Sequence, residues 1–170
     1  MAKKLLLLIG FIGLITISAE AQKRVSIQDP ELTFSYILPK DASNQDDPFY
    51  HFIIIPTAEE RTPAIVQLTY YEAFNISLDD YMDGVINGRL ATSLANFKKI
   101  STGPDVVDAN RASWAKYSYS EDGIAKCGLI YCFERFHQYF EIIATSECAD
   151  FAGNEAAFRK TIRSLEIQKN

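Results

Sequence analysis

The chain of 170 residues is poor in the side chains that many hydrolases use, with two histidines, three cysteines and one tryptophan. His51 and His137 are therefore the two candidates for the general base that a serine or cysteine nucleophile requires. His51 lies in an apolar run typical of a strand, and His137 falls at a predicted turn, where a surface role is expected. The sequence also lacks Gly-x-Ser-x-Gly and the glycine-rich phosphate-binding motifs. These absences argue against such hydrolases and against a nucleotide-binding enzyme.

Positive charge is also scarce, because 17 Lys and Arg stand against 22 Asp and Glu, for a net charge of -5. A nucleic-acid surface needs clustered Lys and Arg, so we expect no nucleic-acid partner. The hydrophobic content of 48% is that of an ordinary globular protein, and no internal repeat or low-complexity linker marks a second domain. The composition predicts a single folded domain.

The N-terminal apolar run, residues 5–17, is only 13 residues long, whereas about 20 are needed to span a bilayer. Lys3 and Lys4 precede it, and a small-x-small pattern ending at Ala21 follows. We interpret residues 1–21 as a signal peptide that is cleaved after Ala21, with a membrane anchor as the disfavoured alternative. The mature domain, 22–170, is then exported to the periplasm or the extracellular space and has no transmembrane segment.

Alternating or continuous short apolar runs bounded by turn residues predict several strands. Gly103-Pro104 is expected to break the chain, residues 41–48 are expected to form a polar loop, and Asp122-Gly123 predicts a hairpin turn because glycine adopts positive φ. The predicted strands are 32–38, 50–55, 64–74, 100–102, 112–120, 124–133 and 138–144.

Two amphipathic helices are predicted. The first begins at Ser77, which caps it with Asp80 three residues on, and its apolar face could continue to Phe97. The second spans about 151–165, with Asp150 as its N-cap. The first helix has an apolar stripe of Leu78, Tyr81, Met82, Val85, Ile86 and Leu90. Together the elements predict an α+β fold, in which an antiparallel sheet of about six to seven strands, with a C-terminal meander, is flanked by these helices.

The order of elements resembles the PsbP-like fold. The resemblance rests on the strand 34–39, the helix start 77–82, the meander 112–144 and the ending 158–165, and it covers nearly all of 22–170. PsbP-like proteins are mostly binding or accessory proteins without a shared active site. The resemblance therefore implies a fold and leaves the ligand open, and no functional residue of a relative is carried over.

The three cysteines of an exported protein would be in an oxidising compartment, where a disulfide persists. Cys127 and Cys132 lie about 16 Å apart on one predicted strand, beyond the reach of a bridge. A Cys127–Cys148 bridge centres the intervening hairpin on the polar turn at His137, so we predict that pairing and a buried free Cys132. Three reduced, buried thiols remain an open alternative. The spacing fits no zinc site, and we expect no metal and no cofactor.

Aromatic side chains are the remaining binding candidates. Tyr70, Trp114, Tyr117 and Tyr119 could line a ligand groove or a partner-binding face, although such residues more often pack a sheet against a helix. Tyr117 and Tyr119 share one face of their strand, and Trp114 points to the other.

The leading functional hypothesis is an exported, non-enzymatic binding or accessory domain whose partner is an unknown protein or small molecule. One alternative is a small exported hydrolase in which paired carboxylates, for example Glu72 and Asp79, perform acid/base catalysis. A second alternative is a structural interaction module that uses an exposed sheet edge.

Overall fold

The computed structural model describes residues 23–46, 51–56, 62–73 and 75–170. The predicted signal peptide and its cleavage site lie outside these residues. No helix in the described part of the chain has the length and apolar character needed to cross a membrane. The strands are β1 (Arg24–Gln28), β2 (Leu32–Ile37), β3 (Ser43–Asp46), β4 (His51–Ile55), β5 (Ala64–Glu72), β6 (Ala95–Val107), β7 (Asn110–Glu121), β8 (Ile124–Arg135), β9 (Gln138–Glu147) and β10 (Glu166–Lys169). The helices are α1 (Leu78–Asp83), a π-helical turn (Gly84–Leu90), α2 (Ala91–Ser93) and α3 (Cys148–Arg163).

Seven strands form one antiparallel sheet in the order β3-β4-β5-β9-β8-β7-β6, in which β6 to β9 are the predicted meander. The other three form a small antiparallel sheet in the order β1-β2-β10. The predicted α+β fold is confirmed. The separate small sheet, including β1 and β10, was not anticipated because these short strands carry too few apolar residues to form a pattern.

Two-residue turns connect the meander. Asp122 and Gly123 both have positive φ, as the predicted hairpin between β7 and β8 requires. The turns Asp108-Ala109 and Phe136-His137 adopt the same left-handed conformation without glycine. These tight turns set the register that places alternate residues on opposite faces of the sheet.

The two faces of the large sheet carry separate cores. One face, the α3 face, packs against α3 and the small sheet through residues such as Phe34, Phe140 and Phe158. The other, the α1 face, packs against the helical segment 78–93 through residues such as Tyr117 and Ile130. The predicted apolar stripe of that segment packs here, since its members are all buried or partly buried in this second cluster.

The helical segment 78–93 begins as predicted. The backbone amide of Asp80 donates to Ser77 Oγ at 3.1 Å, and the Ser77 hydroxyl donates to Asp80 Oδ2 at 2.7 Å. The expected extension to Phe97 is wrong, because Leu94 has extended dihedrals and Phe97 lies in β6. The sequence also gave no sign of the π-helical turn, in which the Ala91 amide bonds to the Ile86 carbonyl.

Other boundaries also differ from the predictions. Gly103 and Pro104 lie inside β6 instead of breaking the chain. A glycine fits at position 103 because a Cβ there would meet the Trp114 ring at 2.9 Å, and proline is tolerated at position 104 because β6 is an edge strand. Part of the expected polar loop forms edge strand β3. Asp150 lies in the first turn of α3 rather than at its N-cap, which is Glu147.

Candidate functional site

A buried carboxylate marks the α1 face. Glu141 lies on β9 with a side chain only 1% exposed, and its Oε1 accepts a hydrogen bond of 2.6 Å from the Tyr81 hydroxyl. Its Oε2 forms an ion pair with the guanidinium of Arg89, whose side chain is 44% exposed. A charge this deeply buried is costly unless it is paired and hydrogen-bonded, and these two contacts supply both conditions.

The π-helical turn helps to place both partners of Glu141. Tyr81, Val85 and Arg89 are spaced four residues apart, and a row of this spacing drifts around an α-helix by about 40° per step. The wider π turn takes more residues per revolution, which reduces the drift and keeps Arg89 near the line of Tyr81. The helical segment therefore directs a phenol and a guanidinium at one carboxylate.

Aromatic contacts fix the same region. The Tyr81 ring stacks on Tyr139 with centroids 4.0 Å apart and planes inclined by 14°. The Tyr139 hydroxyl donates to the carbonyl of Ile76 at 2.6 Å, which holds the segment before the helix. Burial and the bond to Glu141 raise the pKa of Tyr81 well above its usual value. A tyrosine hydroxyl is a hydrogen-bond donor at neutral pH, and this shift keeps that of Tyr81 a donor to more alkaline pH.

A cleft opens to solvent above the ion pair, with a volume of about 320 Å³. Two exposed apolar side chains form part of its wall, Tyr71 at 41% and Ile76 at 46% exposure. A Cβ built on Gly84, in the lining, would meet no atom within 4 Å. We call this the α1 cleft, and it is lined by Tyr71, Ile76, Asp80, Tyr81, Gly84, Val85, Arg89 and Glu141.

Local sequence pattern does not identify Glu141 and Arg89 as site residues. The available signal was a single charge within the apolar run 139–143, where β9 crosses the middle of the sheet. Its partner Arg89 lies 52 residues earlier, so no local spacing linked the two.

The four predicted aromatic residues do not form one site. Tyr117 is fully buried on the α1 face with Tyr119 beside it, their ring centroids 6.0 Å apart. Trp114 packs on the α3 face, where the Arg159 guanidinium lies 4.4 Å from its ring. Tyr70 also packs on the α3 face and donates to Asp29 Oδ1 at 3.0 Å. The structure thus places these side chains on both faces of the sheet, and none of them lines the α1 cleft.

The cysteines lie on both faces of the sheet. Cys127 of β8 is joined by a disulfide to Cys148, the first residue of α3, with Cα atoms 4.7 Å apart. Cys132 is a buried free thiol directly across the ladder from Glu141. Burial, followed by the charge of Glu141, raises its pKa well above the usual value, so the thiol has little nucleophilic character.

The geometry gives little support to the two alternative functions. Glu72 and Asp79 are exposed, and Asp79 is held by Arg111 at 2.8 Å, so neither carboxylate has the enclosed setting of a catalytic acid. The long edge strand β6 contains Lys98, Pro104 and two register shifts, which are features that discourage pairing with another strand. No group of three or more His, Cys, Asp or Glu in the described residues is arranged to hold a metal ion.

No protein-family model and no curated protein sequence matches the chain. Solved structures do match. LpqN, involved in cell envelope biogenesis of Mycobacterium tuberculosis, has a TM-score of 0.66 at 14% identity over 87% of this chain and 92% of its own. Cyanobacterial PsbP from Synechocystis has a TM-score of 0.60 at 11% identity, and the match covers 94% of this chain and 100% of its own. The Ran-binding protein Mog1p of Saccharomyces cerevisiae has a TM-score of 0.57 at 7% identity, and the match covers 86% of this chain and 96% of its own.

These likenesses, at such low identities, define the fold. The protein is an α+β domain in which two antiparallel sheets are flanked by helices. More particularly, it has a PsbP-like fold, as the resemblance in the sequence implied.

Proposed function

We propose that this protein is an exported, non-enzymatic accessory domain that binds a partner in the α1 cleft. The observation that carries the proposal is the ion pair between buried Glu141 and half-exposed Arg89 at the base of an open cleft with exposed apolar walls. Export is supported by the N-terminal sequence pattern. The names of two neighbours in fold are consistent with accessory roles, since LpqN takes part in envelope biogenesis and Mog1p binds Ran.

Stability alone does not account for the ion pair. Replacing an ion pair with a buried member by well-packed apolar residues is often neutral or stabilising, so a gain in stability is not a sufficient reason for Glu141 and Arg89 at this position. The π-helical turn that carries Arg89 is a type of distortion that recurs at functional sites. Together with the adjoining cleft, these features favour a site that is maintained for binding.

The side chains at the base of the cleft are arranged for stable hydrogen bonding rather than for proton transfer. Glu141 accepts from two donors, and burial and the bond to Glu141 move the pKa of Tyr81 further from neutral pH. His51 packs with its ring 5.0 Å from Phe34, away from the cleft, and His137 is exposed at the turn between β8 and β9. This arrangement supports a binding role over acid/base catalysis.

Site-specific photo-crosslinking tests the proposal. The photoreactive amino acid benzoylphenylalanine replaces Ile76 at the cleft or, as a control, Ile124, which is similarly exposed at 42% but lies at the β7–β8 turn. We expect the full chain, expressed in its own host, to yield a discrete adduct from position 76 and none from position 124. Gly84→Met, which places a long side chain in the cleft, should abolish the adduct, whereas Gly88→Met on the same turn should preserve it.

Two results would overturn the proposal. Adducts that are the same from both positions, or that persist in Gly84→Met, would show that the cleft is not the binding site.

For export, N-terminal sequencing of the protein from the envelope or the medium should give a chain that begins at Gln22. Retention of an intact leader in the cytoplasm would exclude an exported role.

A further inference from the structure

We infer that the α1 cleft receives a lysine or arginine side chain, flanked by apolar residues, from a partner protein. This inference rests on the proposed function and names the chemical class of the partner. It follows from the size of the cleft, the charges that line it and the aromatic rings in its wall.

The size of the cleft favours a side chain over a whole small molecule. Pockets that enclose small ligands run from about 300 to 1,000 Å³ and bury most of the ligand surface. The α1 cleft, at about 320 Å³ and open to solvent, is at the lower limit of that range. It can surround one long side chain presented by another protein, while exposed Tyr71 and Ile76 contact the apolar residues on either side.

The charges in the lining favour a cation. Arg89 and Glu141 neutralise each other, which leaves the carboxylate of Asp80 at the rim. Glu134 is one further carboxylate in the surroundings, since it lies close enough to Tyr139 to help burial raise the pKa of that residue. Arg111 is not in the lining, and it is paired with Asp79. An anionic group would face Asp80 and gain little from Arg89, which Glu141 already neutralises.

The wall of the cleft suits a cation with a long apolar stem. Tyr71 and Tyr81 both line it, and phenol rings attract ammonium and guanidinium groups through their π faces. One face of Tyr81 is covered by Tyr139. Gly84 leaves the helix backbone bare at the same place, although no neighbouring atom requires a glycine there. Because Gly84 has no side chain, a partner can approach the helix backbone closely at this point of the lining.

Three short peptides test the charge assignment. They share the sequence acetyl-GSLXLSG-amide, in which X is arginine, glutamine or glutamate, and each is titrated into the isotope-labelled full-length mature domain while amide shifts are recorded. We expect the arginine peptide to shift amides around Tyr71, Ile76 and Gly84, with an affinity that falls as salt is added. The glutamate peptide should produce no shifts there.

Matched variants separate charge from fold. Asp80→Asn should weaken binding of the arginine peptide about two- to fivefold, the range of an exposed ion pair, and Asp83→Asn, the same change outside the lining, should not. Asp80→Asn keeps the backbone amide that bonds to Ser77. Gly84→Met should abolish binding, and Gly88→Met should leave it intact.

The outcomes distinguish this inference from the proposed function. If the glutamate peptide binds at the cleft and Gly84→Met blocks it, the cleft is a binding site but the cationic assignment is wrong. If the arginine peptide produces no shifts, or shifts another face, the inference fails, while crosslinking from position 76 judges the proposed function independently.

Discussion

Replacing Arg89 by methionine should destabilise the protein more than neutralising its partner. The Glu141 side chain is 1% exposed, so loss of Arg89 leaves a buried carboxylate with the Tyr81 hydroxyl as its remaining donor among the contacts described above. Removing one member of a buried pair costs about 3–5 kcal/mol, and the partial exposure of Arg89 indicates the lower end, about 3 kcal/mol. For a domain of this size, that lowers Tm by about 6–12 °C.

The reverse change should be milder. Glu141→Gln keeps an oxygen that accepts from Tyr81, and Arg89, at 44% exposure, can turn to water, so we expect a loss of about 1 kcal/mol. Arg89→Met combined with Glu141→Gln should be more stable than Arg89→Met alone, because the buried charge is gone. Arg111→Met, which breaks the exposed pair between β7 and Asp79 of the same helical segment, is the control and should cost about 1 kcal/mol or less.

Urea unfolding followed by circular dichroism measures these free energies at neutral pH, under non-reducing conditions. The double-mutant cycle then gives the coupling between the two side chains. The reasoning would be refuted if Arg89→Met cost no more than Glu141→Gln, or if the two losses simply added in the double variant. Either result would mean that the carboxylate is solvated in the absence of the guanidinium.

Three further predictions concern the rest of the fold. Alkylation of the unreduced, denatured protein should modify one cysteine, and three modified thiols would contradict the bridge. Replacing both Cys127 and Cys148 by serine should lower the free energy of unfolding by about 3 kcal/mol, as expected for a sequence separation of 21. Gly153→Ala on the exposed side of α3 should raise the free energy of unfolding by about 0.5–1 kcal/mol in the same urea assay, because the added methyl group meets no atom. A lower free energy of unfolding would contradict this expectation. Burial and the bond to Asp29 raise the pKa of Tyr70 from 10.0 to about 12, so its contribution to stability should be complete below pH 10 and lost as pH rises towards 12. Tyrosinate absorbance of the wild type minus Tyr70→Phe should titrate near 12, and a midpoint near 10 would disprove the shift.

Local pattern predicted the parts of the fold that local chemistry determines. The start of the helical segment at Ser77 and its apolar stripe followed from capping and periodicity, and the hairpin at Asp122-Gly123 followed from glycine at positive φ. The continuation of β6 through Gly103 could not be predicted, because the glycine there makes room for the ring of Trp114 on the next strand rather than forming a turn. Tertiary contact here overrides the local turn signal.

The candidate site was beyond local pattern for the same reason. The stripe from Leu78 to Leu90 fits an α-helix, so nothing in its spacing distinguished the π-helical turn. The Glu141–Arg89 pair joins residues 52 apart, and the aromatic candidates that composition suggested pack elsewhere. Composition identified residues able to bind, but the sheet register decides which of them meet.

The separation of the two cores by the large sheet has an evolutionary consequence. Substitutions at sites far apart and without shared partners usually add within about 0.5 kcal/mol, so changes in the layer beneath α1 should seldom require compensation in the layer beneath α3. The disulfide lies on the α3 side, whereas the cleft lies on the other. One side of the sheet can therefore conserve the scaffold while the residues of the α1 cleft change, and a lineage can alter that cleft without rebuilding its fold.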